Sequence, residues 1–274
     1  MNVRYKIAAL LLAGVLAAGV ACADKPESAT ATPAVAKAAE AKPAEAKAGA
    51  VPAGARALMK AYPDFVKGYK DNKLVLADGT TMVYDDGKQK SFVERLNNPD
   101  AEDMFFADYD RANWTPGYLH DPGRVRYEPL FKKMYGASAA AVQKTLVPVK
   151  WFGTTVRITK VNGAADALRK VAEEVAKYPE LKPYLKSSGT FYWRMVRGAN
   201  RLSAHSFGIA FDIAVSKSDY WRYKASNEMA KFKYANKIPH KLVEIFEKHG
   251  YIWGGRWYHF DTMHFEYRPE LLVK

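Results

Sequence analysis

The sequence predicts a chain that mixes helices with short strands, and three observations carry that reading. Residues 73–84 form two strand-like runs around Asp78-Gly79, a hairpin signal. Residues 163–178 repeat Ala165, Leu168, Val171 and Val175 at helical spacing, with Lys and Glu on the opposite face. Residues 208–215 alternate as a strand does, with Ile209, Phe211, Ile213 and Val215 on one side and Ala210, Asp212 and Ala214 on the other.

In chain order, the first 23 residues read as a leader. Arg4 and Lys6 precede an apolar run from Ile7 to Val20 and then Ala21-Cys22-Ala23, which predicts a signal peptide cut after Ala23 and hence export to the periplasm or envelope. Cys22 admits a second reading, cleavage before it and acylation, which would tether the protein to a membrane; Gly19, however, stands where such sites carry a Leu-like residue. With cleavage after Ala23 the mature chain keeps no cysteine, so disulfides contribute nothing to its stability. Residues 24–55 are almost entirely Ala, Lys, Pro, Glu, Thr and Ser and cannot build a core, so they are read as a disordered linker. The formal net charge is +13. Export directs that charge to anionic envelope polymers or lipid headgroups rather than to nucleic acid. A monomer is expected.

Residues 56–150 are read as an irregular accessory region. A helix over 56–61 should end at Pro63, and a short helix is expected over 127–135. Between them Asp100, Glu102, Asp103, Asp108 and Asp110 lie among aromatics without the spacing of a calcium loop, which suggests an exposed acidic turn. Asp121-Pro122-Gly123-Arg124 reads as a turn. Residues 147–161, rich in Val, Thr and Trp, predict strands. The helix over 163–178 follows, and a second over 239–249 has Pro239 at its start and Gly250 as its cap.

The chemistry concentrates in two stretches. In Ser203 to Asp212 an imidazole, His205, stands seven residues before a carboxylate, with Gly208 between them able to turn the chain. Asp212 sits between alanines, leaving room above it for a cation. In residues 263–267 a strand puts His264 and Glu266 on one face and Phe265 and Tyr267 on the other. Laid beside the first strand, it sets His264 next to Asp212 and Phe265 next to Phe211. His205, Asp212 and His264 then make a three-ligand zinc site (Zn2+, one ion) with a fourth position for water, the arrangement of a catalytic centre. Asp261, three residues before His264, is a candidate general base. His259 is a candidate substrate contact, and Glu266 is a candidate for orienting a ligand imidazole.

The run Ser-x-His-x-x-Gly-x-Ala-x-Asp at 203–212, the acid three residues before His264, the following Phe265-Glu266, and Trp253-Gly254-Gly255 together resemble the VanY-type D-alanyl-D-alanine carboxypeptidase family of zinc peptidases. The resemblance covers roughly residues 150–270. It implies an α+β fold with a small central antiparallel sheet in a 151–274 catalytic domain, and zinc on His205, Asp212 and His264. By the same carry-over Asp261 is the catalytic acid, where many members have Glu. Arg194 is the arginine that binds substrate, preferred over Arg197 and Arg201, and Ser203 is a further substrate-binding position. The implied substrates are peptidoglycan stem peptides. D,D-carboxypeptidase action leads, with an L-alanyl-D-glutamate endopeptidase and a zinc-holding, non-catalytic wall-binding module as alternatives.

Overall fold

The computed structural model describes residues 50–273; the leader, Cys22 and the linker up to residue 49 lie outside the described residues. α1 (Ala53–Ala61) opens the described chain and takes in residues 53–55, the end of the stretch read as linker, with Ala55 buried. β1 (Val66–Lys70), β2 (Lys73–Leu76) and β3 (Thr81–Val83) follow as an antiparallel sheet in sequence order. Asp71 and Asn72 both take positive φ, so a two-residue turn of the hairpin-forming kind joins β1 to β2. That strand was not anticipated, although the Asp-Asn pair was its signal. The expected hairpin around Asp78-Gly79 is β2–β3, with Leu74 opposite Met82.

α2 (Phe92–Asn97) is closed at its start by a reciprocal capping box between Ser91 and Glu94. The acidic stretch after it is exposed at Glu102, Asp108 and Asp110, as expected of a surface turn, but not throughout. Asp100 and Asp103 are buried, and the ammonium of Lys90 sits between them at 2.9 and 2.6 Å, with Asp86 at 3.1 Å. A lysine therefore occupies the place a cation would take, and the burial it permits fixes this corner of the chain.

α3 (Glu128–Tyr135) and α4 (Ala139–Gln143) lead into the hairpin of β4 (Leu146–Trp151) and β5 (Thr154–Thr159), turned through Phe152 and Gly153. α5 (Ala164–Val175) is the helix expected from the apolar repeat, and Leu168, Val171 and Val175 are buried as that repeat requires. β6 (Ala210–Asp212), α6 (His240–Lys248), β7 (Tyr251–Trp253) and β8 (His264–Tyr267) complete the chain, and the three strands form an antiparallel sheet in the order β6-β8-β7. The fold is α+β with small antiparallel sheets.

Two hydrophobic clusters meet at β6. One gathers α5, α6, the β4–β5 hairpin and Phe211, Ile213 and Phe265, with Phe246 stacked on Phe265 at 3.9 Å. The other gathers α1, α3 and the first sheet with Leu202, Ala204, Phe207, Ile209 and Ala210. Here the structure corrects the strand expected over 208–215. Ile209 and Phe211 do not share one greasy face, because both sides of the segment are covered. The ladder stops at Asp212, where β8 begins at His264, and Val215 is 45% exposed in a 3-10 turn. Buried residues of α1, the first sheet and α3 therefore pack against the 203–212 motif from the other side.

Candidate functional site

His205 lies in a 3-10 turn, Ala204–Phe207, that Gly208 ends in a left-handed conformation at φ +67°. The glycine N–H donates to the His205 carbonyl at 3.1 Å, and its own carbonyl accepts from Thr159 N at 2.9 Å. The turn folds the imidazole back over β6, so His205 Nε2 lies 3.1 Å from Asp212 Oδ2. In the β6–β8 ladder Asp212 stands directly opposite His264 and Phe211 opposite Phe265. The expected register is thus the observed one, and it puts His264 Nδ1 2.8 Å from Asp212 Oδ1. One ligand atom from each of the three side chains lies within 4.8 Å of the others.

The chemistry of this donor set fits a zinc ion. The second nitrogen of each imidazole is already engaged, Nδ1 of His205 by the Thr190 carbonyl and Nε2 of His264 by Glu266 Oε1 at 3.0 Å. Those outer contacts hold each ring so that the remaining nitrogen faces Asp212, which is how metal-binding histidines are oriented. Glu266 is in turn held by Arg126 Nη1 at 2.8 Å. Burial works against ionisation of Glu266, but Arg126 and His264 outweigh it and hold the carboxyl down at about 2. Burial likewise opposes charge on His264, while its hydrogen bonds to Asp212 and Glu266 raise it to about 10. Asp212 is held well below the usual carboxylate range, burial opposing and His205 and His264 prevailing.

Asp261 shares the cavity, which measures about 120 Å³. Its backbone is pinned twice: its N–H donates to Gly254 O at 3.0 Å and its carbonyl accepts from His264 N at 3.1 Å. Its Oδ1 is buried with no hydrogen-bond partner. Burial pushes the carboxyl up to about 6, with the positive field of His264 opposing and the charge of Asp212 adding. The Trp253-Gly254-Gly255 run acquires a physical reason here. A Cβ on Gly254 would lie 2.5 Å from the Asp261 carbonyl oxygen, and one on Gly255 would enter the Trp253 ring at 2.1 Å. Only glycine lets the chain pass this close to Asp261.

The other expected contacts separate. Arg194 is exposed, lines the cavity and is fixed through its backbone N–H to Ser206 Oγ at 3.0 Å. Ser203 is buried at the cavity wall, its N–H donating to the Arg194 carbonyl at 3.0 Å. His259 has no exposed surface, and both ring nitrogens are taken, by Asp121 Oδ2 at 2.6 Å and the Glu228 carbonyl at 2.7 Å. Its ring also lines the cavity, so a substrate would meet it there as a braced wall whose two nitrogens are already committed. The sequence reading missed Arg124 and Arg126, which line the same cavity. They were passed over as the end of a turn, though two arginines at alternate positions after Pro122-Gly123 were a usable signal.

These features define a mixed α+β protein whose central strands present a His/Asp/His donor cluster beside a buried carboxylate. Residues 197–267 match a family described as D-alanyl-D-alanine carboxypeptidase, about a quarter of the chain. That matched segment holds His205, Asp212, Asp261 and His264, so the likeness to this family takes in the whole donor cluster and the buried carboxylate. Arg194 lies just before the matched residues. No curated protein and no solved structure matches the chain.

Proposed function

We propose that this chain is a zinc-dependent peptidase of the bacterial envelope that hydrolyses peptidoglycan stem peptides, acting as a D-alanyl-D-alanine carboxypeptidase. The carrying observation is the convergence of His205, Asp212 and His264 within 4.8 Å in one cavity with an unpartnered Asp261 oxygen. His205 Nε2, an Asp212 oxygen and His264 Nδ1 would hold a single zinc ion, which supplies Lewis-acid polarisation of the scissile carbonyl and a water pKa lowered toward ~7.

The chain's own groups do the rest. Asp261, buried in the cavity with an unpartnered Oδ1, accepts the proton of the attacking water and returns it to the leaving amine. Arg194, at the cavity wall, offers a guanidinium to the oxyanion that develops on the carbonyl. Thr190 and Glu266 keep the two imidazoles in their metal-ready tautomers. Export by the leader, release after Ala23 and reach through the Ala/Lys/Pro-rich stretch before α1 would deliver this site to the wall.

The test is product mass on defined muropeptides with zinc-loaded protein. Loss of one terminal alanine is the expected result; release of a longer peptide would mean endopeptidase action, and intact substrate would reject the peptidase reading. Asp261→Asn should lower turnover by about 10²–10⁴-fold with zinc content unchanged. A variant that keeps full turnover would remove Asp261 from the mechanism.

A further inference from the structure

The cavity carries more positive charge than its own acids neutralise. Arg124 is fully engaged, with Nη1 on Asp121 at 2.9 Å and Nη2 on Glu228 at 2.8 Å. Arg126 gives Nη1 to Glu266, but its Nε is buried with no acceptor. Arg201 differs from both. It is 9% exposed, its Nη1 reaches only the neutral Asn97 Oδ1 at 2.7 Å, and its Nε is likewise buried without an acceptor. Among the described residues no carboxylate forms a salt bridge with it.

A guanidinium taken out of water without an anionic partner is costly, and like charges nearby add to the cost. Burial first, and then repulsion from Arg124 and Arg126, press Arg201 down to about 9, so the strain is of the kind an incoming anion relieves. Arg194 does not have this character, because it is exposed to solvent.

Resting on the peptidase reading above, we propose that Arg201, with Arg126 beside it, is the seat of a substrate carboxylate, and that the region before residue 150 completes it. Asn97 aims the Arg201 fork from the end of α2, and Arg126 enters from the segment before α3. Both lie outside the matched stretch 197–267, which assigns the accessory region a part in specificity. The carboxylate is either the free C-terminus of the peptide or that of an acidic residue within it. Both are planar two-oxygen acceptors suited to a guanidinium fork.

Calorimetric titration of the zinc-loaded full chain carrying Asp261→Asn, so that bound peptide is not hydrolysed during the measurement, separates these sources. The probes are N-acetyl-Lys-D-Ala-D-Ala and its C-terminal amide as one pair, and Ala-γ-D-Glu-Lys and its D-isoglutamine counterpart as the other. This parent chain should prefer the acid of one pair by roughly ten- to hundred-fold, the scale of a charged hydrogen bond. That pair identifies the source. Arg201→Gln should abolish the preference, and Arg201→Lys, which keeps the charge without the fork, should retain part of it. Asn97→Ala, at an outer contact, provides a second reading should Arg201→Gln fail to fold. Equal binding of acid and amide by the parent chain in both pairs, or an undiminished preference in the folded variants made in it, would overturn the proposal. Turnover of the wild type is scored separately on the same peptides: binding preference without cleavage rejects the peptidase reading and leaves the carboxylate seat standing.

Discussion

Replacing Gly254 by alanine tests whether the close passage of the chain behind Asp261 sets the geometry of the site. The new Cβ would lie 2.5 Å from the Asp261 carbonyl oxygen and 3.1 Å from the Trp257 ring, against about 3.4 Å for ordinary contact. The oxygen belongs to backbone that also accepts the His264 N–H, so it cannot swing aside as a flexible side chain would. The segments must part by roughly 1 Å, and a misplacement of that size costs on the order of 10²-fold in rate. Overpacking of this kind also costs about 1–3 kcal/mol, or roughly 2–12 °C in Tm for a folded unit of this size. Gly117→Ala is the matched control, since a Cβ there meets nothing within 4 Å. The assay is steady-state turnover on a D-alanyl-D-alanine peptide with zinc content and thermal unfolding measured on the same preparations. We expect kcat to fall far more than zinc occupancy. Turnover equal to that of Gly117→Ala would refute both the steric argument and the place given to Asp261.

Two further outcomes are expected. Gly208→Ala forces a left-handed alanine, costing about 1–2 kcal/mol, and pushes Leu146 Cδ2 from a 2.6 Å approach, adding about 0.5–1.5 kcal/mol; zinc affinity by chelator competition should weaken with Tm, because the turn carries His205 over Asp212. Burial opposes ionisation of Asp121, but Arg124 and its hydrogen bonds to His259 hold its carboxyl below the usual range. That stabilisation is present above the unfolded value near ~4 and is lost as pH falls through the lower folded value, since the unfolded chain then binds more protons. Unfolding followed from pH 7 down to pH 3 should show stability dropping below about pH 4. Asp121→Asn should be less stable at pH 7 by about 3–5 kcal/mol, with a flatter acid slope. An unchanged slope would exclude Asp121 as the acid-sensitive group.

Much of the site was legible because it rests on short-range rules. A strand has a period of two, so Asp212 and His264 could be set side by side once Phe211 and Phe265 were paired across the same ladder. A helix over α5 followed from its apolar repeat, and the hairpin β2–β3 from Asp78-Gly79. What resisted reading was decided by packing. Nothing within residues 209–215 says that a second cluster built from α1 and α3 covers the other side of β6, so the strand looked one-faced and too long. His259 looked available beside the motif, yet Asp121, far back in the chain, takes its Nδ1 and closes it in.

The sequence by itself determined the donors, their order and the register that joins them, since alternation and turn chemistry act between neighbours and carry through a two-strand ladder. The tertiary structure alone decided what surrounds them. It leaves Asp261 an unpartnered buried oxygen, fills the acidic corner with Lys90 and brings Arg126 and Asn97 to Arg201. Which distant polar groups share a cavity depends on how whole layers pack, and the cost or relief of burying their charges exists only once water has been excluded.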